Sequence, residues 1–231
     1  METIPEALRH ALHLLWSGDA RTYTAMAVSV RVSSLALLLA ALVGIPLGGL
    51  IGLVPFSGRG ILRVVLRALM SVPTVVIGLV LFAVLSRSGP LGGWNLLYSQ
   101  TAMAVGQAIL IVPLVASLVD AAVRSADRRV QDTALTLGAG WFRSALDVLW
   151  EVRLALVAAV VTAFSRAVSE VGISMMVGGN IRGQTRNITT GIMLETGKGQ
   201  FAMGIALGIV LLLVALGLNT VVQAIEHSVE A

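Results

Sequence analysis

The chain has no cysteine, few charges and few aromatic residues, and each shortage removes a class of protein. Without cysteine there can be no disulfide, thiol nucleophile or cysteine metal site, although the compartment stays open. Only 12% of the 231 residues are charged and 57% are hydrophobic, whereas roughly a quarter of a soluble domain is charged. With a mean hydropathy of +0.92, the chain is expected to have the lipid bilayer as its solvent. A nucleotide-binding loop is missing too. The nearest approach, Gly191 to Gly199, has five residues between its first two glycines and no hydroxyl residue after Lys198. His10 and His13 form an isolated pair that carries no metal assignment. No catalytic residue, metal or cofactor is expected, and the net charge of +4 is read as topology, not as a nucleic-acid footprint.

What is present is a series of long uncharged runs: Val32 to Gly58, Ala68 to Ser86, Ser88 to Val119 and Gly199 to Ile225. A fifth, Leu154 to Ile181, is interrupted only by Arg166 and Glu170. Each meets the length of roughly 17–25 residues needed to cross a bilayer. The expectation is an all-α membrane protein of about five spans, near 22–54, 60–86, 97–124, 150–179 and 200–226. Residues 1–231 then form one transmembrane domain with no room for a soluble catalytic domain. No removable signal peptide is read at the N-terminus. Residues 4–16 place Leu8, Leu12, Leu15 and Trp16 at helical spacing, so 1–21 reads as an interfacial segment or as a disordered tail. Arg59, Arg63 and Arg67 lie in the first connection, and Arg124, Arg128, Arg129, Arg143 and Arg153 in the third, which makes both cytoplasmic. The N-terminus is then outside and the C-terminus inside, in a multi-pass plasma membrane protein. The fourth connection, with Arg182, Arg186 and Lys198, is an exception to the rule. Pro46, Pro73 and Pro113 are expected inside helices, and the repeats Gly44, Gly48, Gly52 and Gly204, Gly208 as close-packing faces.

Within the third connection, residues 124–151, charged and apolar residues alternate at short intervals and Gly138 and Gly140 break the helical pattern. Two short helices across one membrane face are expected, with Leu135, Leu137, Trp141 and Phe142 available to enter a groove on another protein, or to rest on lipid headgroups. The stretch Asp132-Thr133-Ala134-Leu135-Thr136-Leu137-Gly138 resembles the coupling loop of ATP-binding-cassette (ABC) importer permeases of type I. There an acidic residue, two small residues, three further residues and a glycine precede a second helix. Asp132 stands where glutamate is usual and Trp150-Glu151 where Leu-Pro is common. The resemblance implies a homodimeric permease whose coupling residues Asp132, Thr133, Ala134, Gly138, Trp141 and Phe142 dock into a cytoplasmic ABC ATPase dimer. It also implies a periplasmic or extracellular substrate-binding protein as partner.

Arg166 and Glu170 are four residues apart on one helix face inside a span, where ionisable groups are costly unless paired or hydrated. Two readings stay open: a structural ion pair, or a pathway lining in which Arg166 meets an anion. Gly178-Gly179-Asn180-Ile181-Arg182-Gly183-Gln184-Thr185-Arg186-Asn187, followed by Thr189-Thr190, is rich in donors and poor in acids, which suits an oxyanion or an acidic partner surface. Candidate pathway residues are Arg166, Glu170, Asn180, Arg182, Arg186 and Thr189. The segments Ser165 to Gly172 and Met175 to Arg186 resemble the oxyanion branch of these permeases, which serves molybdate, sulfate and tungstate. Leu194 to Gly199 and Glu151-Val152-Arg153 look most like its tungstate permeases. The alternatives are an ABC permease for another solute, such as phosphate or an amino acid, and an ion-coupled secondary transporter, for which internal repeats are expected and none is evident.

Overall fold

The computed structural model describes residues 16–230 and, ahead of them, residues 9, 12 and 13; side chains at 128, 218, 219, 221, 222 and 225–230 fall outside the description. The amphipathic segment expected over 4–16 therefore lies almost wholly outside the described residues. From residue 20 onward the chain forms α1 (Ala20–Leu53), α2 (Arg59–Met70), α3 (Thr74–Leu85), a 3-10 turn (Gly92–Trp94), α4 (Gln100–Ser125), α5 (Arg128–Thr136), α6 (Trp141–Glu151), α7 (Arg153–Val168), α8 (Gly172–Gly178), α9 (Ile188–Gly197) and α10 (Phe201–Glu230). No strand occurs among the described residues.

The uncharged runs that begin at Val32 and Ser88 become the two unbroken spans, α1 and α4. Asp19 caps α1 by accepting the Arg21 and Thr22 N–H groups at 3.1 and 3.0 Å, and the helix stops at extended Val54 because Pro55 follows. Pro46 and Pro113 lie inside continuous helices. A side-chain carbon added at Gly44 would come within 2.8 Å of Val115, and one at Gly52 within 2.7 Å of Val123, while at Gly48 it would strike the Ala116 carbonyl oxygen. The paired positions rise together along both helices, so α1 and α4 run parallel on a glycine seam. The second repeat behaves differently. A carbon added at Gly204 would come within 3.0 Å of Thr196, but one added at Gly208 would meet nothing within 4 Å.

Two expected spans are broken. The helix expected over 60–86 divides at Ser71–Pro73, where α2 and α3 meet at 92°, and Pro73 sits at the break, not inside a helix. Proline cannot donate to the helix and disfavours helical geometry in the residue before it. The separation also keeps Arg59, Arg63 and Arg67, spaced one turn apart on α2, away from apolar α3. The span expected over 150–179 is divided twice: α6 meets α7 at 70° around Val152, and residues 169–171 separate α7 from α8. There Glu170 turns its carboxylate to the Ile173 N–H at 3.1 Å, capping α8 from within the bundle. Two helices are thus apolar and long enough to cross a membrane, four if each bent pair counts once, and the apolar part of α10, Phe201–Gly217, is a fifth candidate.

The main core joins α1, α3, α4, α7 and α8. Apolar side chains also face outward: Leu38 and Leu42 on α1, Leu79 and Val80 on α3, and Leu212 and Leu213 on α10 are all exposed. A surface of this kind has lipid or another protein as its neighbour.

Gly48→Val is expected to destabilise the chain by about 1–3 kcal/mol, because a backbone carbonyl stands in the way. Gly208→Val, with open space around it, should leave thermal unfolding in detergent nearly unchanged.

Candidate functional site

The two ends of the bundle carry different chemistry. At one end α5 and α6 form the expected pair of short helices. Asp127 opens α5 by accepting the Arg129 N–H at 2.9 Å. Gly138 closes it with φ +88°, while Gly138 donates to the Leu135 carbonyl and Ala139 to the Ala134 carbonyl, each at 3.0 Å. This double bond pattern is a Schellman motif, whose left-handed residue is strained for anything but glycine. Asp132 and Thr133 are exposed on α5, and Leu137, 82% exposed, stands at its end. Beneath α5 lies a cleft of about 770 Å³ whose walls include Asp132, Leu135, Trp141, Arg59 and Arg63. Asp132 and Trp141 are therefore brought together. Phe142 is exposed but lines no part of that cleft.

The same end holds a residue to which the sequence analysis gives no role. Asp120 is buried near the end of α4, its side chain only 5% exposed. Arg63 of α2 grips it in fork geometry, Nε 2.9 Å from Oδ2 and Nη2 2.8 Å from Oδ1. Arg63 also donates to the Ile51 carbonyl of α1 at 3.2 Å, and Arg124 adds a contact to Asp120 at 3.3 Å. One carboxylate thus ties α1, α2 and α4 together beside α5 and α6. The available signal was an acid inside an apolar helix, four residues before an arginine.

In the interior, Arg166 and Glu170 do pair, Nη1 to Oε2 at 3.3 Å, but unequally: Glu170 is 2% exposed and Arg166 43%. The Glu170 carboxylate is satisfied by Arg166 and Ile173, whereas the Arg166 guanidinium has no other hydrogen-bond partner among the described residues. Exposed Thr162 and the C-cap residue Ser169 share its face, each about one turn from Arg166, while Ala159, Ala163 and Ala167 form the buried face of α7. Thr162 was missed by the sequence analysis, because a single hydroxyl in an apolar run carries no signal until the exposed face is known. Behind this stripe runs a buried polar chain. Gln107 and Asn187 each donate to the Ser174 hydroxyl at 3.2 Å, and Asn187 accepts from Thr190 at 2.8 Å.

At the opposite end the predicted loop residues are mostly occupied by one another. Arg186 donates to the Asn180 side-chain oxygen at 3.2 Å and to its carbonyl at 3.4 Å, and lies 3.6 Å from Glu195. Thr189 is buried, donating to the Glu170 carbonyl at 2.8 Å. Asn180, Arg186 and Thr189 thus build the loop. Arg182 remains exposed, and with Arg21 and Arg186 it borders a cleft of about 130 Å³. Hydrogen bonds thus link Arg166, Glu170 and Thr189 in one group and Asn180 and Arg186 in another, with Arg182 apart from both.

The family model for the binding-protein-dependent transport system inner membrane component matches residues 44–230. The tungstate uptake system permease protein TupB of Peptoclostridium acidaminophilum is 44% identical, over 98% of this chain and 100% of that protein. TupB of Campylobacter jejuni is 36% identical over 99% of this chain and 95% of its own length. A solved structure of the MetNI methionine ABC transporter, in inward-facing conformations, superposes with a TM-score of 0.69 at 15% identity, covering 92% of this chain and 97% of that one. The fold is that of an ABC importer permease.

Asp120→Ala, which leaves Arg63 without its partner in a half-buried site, is expected to lower stability by about 3 kcal/mol. Asp147→Ala, in an exposed pair with Arg143, should change it by less than about 1 kcal/mol in the same thermal unfolding measurement.

Proposed function

The chain belongs to the family of binding-protein-dependent transport system inner membrane components, and we propose that it is the membrane subunit of an ATP-driven importer for tungstate or the related oxyanions molybdate and sulfate. The observation that carries the substrate is the near full-length likeness to two tungstate uptake permeases. The geometry supports a division of labour. The end bearing α5 and α6 faces the cytoplasm, since Arg59, Arg63, Arg124, Arg129, Arg143 and Arg153 gather there. That orientation puts the N-terminus outside and the C-terminus inside. Exposed α5, with Asp132, Thr133 and Ala134 and its Gly138 stop, docks into a separate ATPase that supplies the energy, and Trp141 and Phe142 extend that surface along α6. Two copies of the chain enclose the pathway.

The Thr162–Arg166–Ser169 face of α7 supplies the interior lining. Arg166 has donors to spare because Glu170 uses only one of them, so its guanidinium can meet a tetrahedral oxyanion through directed hydrogen bonds. Glu170 acts on the anion indirectly: it fixes the guanidinium and caps α8. Asn180, Arg186 and Thr189 hold the loop in shape at the outer mouth, where Arg182 is free to meet the incoming anion or an acidic surface of the binding protein.

Deleting the gene is expected to lower cellular tungsten at trace supply, read by elemental mass spectrometry, with molybdenum less affected. Unchanged content of both metals would rule out the oxyanion reading. Gly138→Val should cost α5 about 1–2 kcal/mol of local stability and abolish uptake with membrane insertion intact. Arg166→Gln, which keeps a donor for the buried Glu170 carboxylate but removes the charge, should reduce uptake roughly tenfold or more with assembly retained. Failure of that variant to assemble would make the pair structural.

A further inference from the structure

A second cleft, of about 590 Å³, opens at the bend between α6 and α7 and belongs neither to the coupling surface under α5 nor to the pathway face of α7. Its rim carries Arg143, Asp147 and Arg153, and its floor carries Leu146, Leu149 and Leu156. Trp150, 71% exposed, also lines it.

The position of this cleft relative to the membrane follows from α7. Residues 154–165 are uncharged and begin the span, so Arg153 marks the boundary and α6, turned through 70°, runs off along it. A tryptophan at that depth, with an apolar body and a polar edge, is the residue type that favours the headgroup layer. Arg153 is held rather than free: its guanidinium carbon lies 5.2 Å from the centre of the Trp150 ring and its Nη1 donates to the Trp150 carbonyl at 3.0 Å. Arg143 lies 3.6 Å from Asp147, but both are well exposed, so that pair is weak and a phosphate can take over one side of it. Two guanidinium groups and one carboxylate leave a single net positive charge above an apolar floor.

We propose that this cleft binds an anionic phospholipid of the adjoining leaflet. Its phosphate lies between Arg143 and Arg153 and the upper part of an acyl chain lies on Leu146, Leu149 and Leu156. The charge matches a headgroup of one negative charge, such as phosphatidylglycerol, and the mixture of cationic rim and leucine floor matches a lipid better than a soluble anion.

The test uses the assembled transporter in phosphatidylcholine nanodiscs containing a small fraction of phosphatidylglycerol, with retained lipid read by native mass spectrometry. The wild type is expected to retain phosphatidylglycerol preferentially. The Arg143→Gln, Arg153→Gln variant should lose about tenfold of that preference, while the double lysine variant, which keeps the charge, should retain most of it. Equal retention of the two lipids by the wild type, or an unchanged preference in the glutamine variant, would overturn the proposal. So would a glutamine variant that keeps its lipid preference but sheds the ATPase subunit, which would assign the cleft to that partner. If the double glutamine variant does not fold, Arg143→Gln alone, at an exposed position, carries the same comparison.

Discussion

The cost of placing a charge among apolar helices organises this molecule. Its described interior holds three buried carboxylates, Asp120 on α4, Glu170 just after α7 and Glu195 on α9, and a charge so placed must be answered locally. Asp120 takes the forked guanidinium of Arg63, and in doing so fixes α2 against the ends of α1 and α4. Glu170 takes one donor from Arg166 and one from the backbone of α8, which joins the end of α7 to the start of the next element. The glycine seam between α1 and α4 brings the backbones close. The carboxylates determine which further helices are bound to that seam, and at which end.

The two interior or near-interior arginines opposite the coupling loop are not equivalent, although the sequence presents them alike. Arg186 is 20% exposed, spends its donors on Asn180 and lies 3.6 Å from Glu195, so it closes a loop. Arg166 is 43% exposed and spends one, so most of its guanidinium faces the unoccupied side of α7. Unused donor capacity, and not charge alone, separates a group able to meet an anion from one that maintains the fold. The hydroxyls divide by burial instead: Thr189 is buried among protein partners, while Thr162 and Ser169 share the exposed face with Arg166 and spend their donors on the Ala158 and Arg166 carbonyls.

The straight spans were legible in the sequence because an uncharged run between arginines has one physical meaning in a membrane chain. The Schellman stop at Gly138 was legible for a similar reason, as a glycine ending an amphipathic stretch. The bends were not. Ser71–Pro73 lies in a run that composition alone reads as continuous, and only the regular spacing of Arg59, Arg63 and Arg67 hinted that α2 is a separate, surface-seeking helix. The break after Val168 depends on Glu170 reaching Ile173, a contact that hydropathy does not encode. Asp120 was visible as a residue but not as a clamp, because its partner is 57 positions away. Arg186 was assigned to the pathway on composition, and its pairing with Glu195 appears only once α9 folds back against the loop.

The bend at Val152 gives a physical route from the coupling loop to Arg166. Val152 is at once the C-cap of α6 and the N-cap of α7, so the two helices are joined by one residue and not by a loop that could absorb a displacement. Arg166 lies 13 residues along α7 from Arg153, or about 20 Å at the rise of an α-helix. A rotation of about 10° around the bend would therefore carry its Cα by about 3 Å, comparable with the length of a hydrogen bond and large enough to make or break contact with a bound anion. Through α1, α2 and α4 the clamp at Asp120 resists such a rotation, whereas α7 has an exposed face with no neighbour in the chain. A displacement of α6 would reach the helix that carries Arg166 through this one-residue junction.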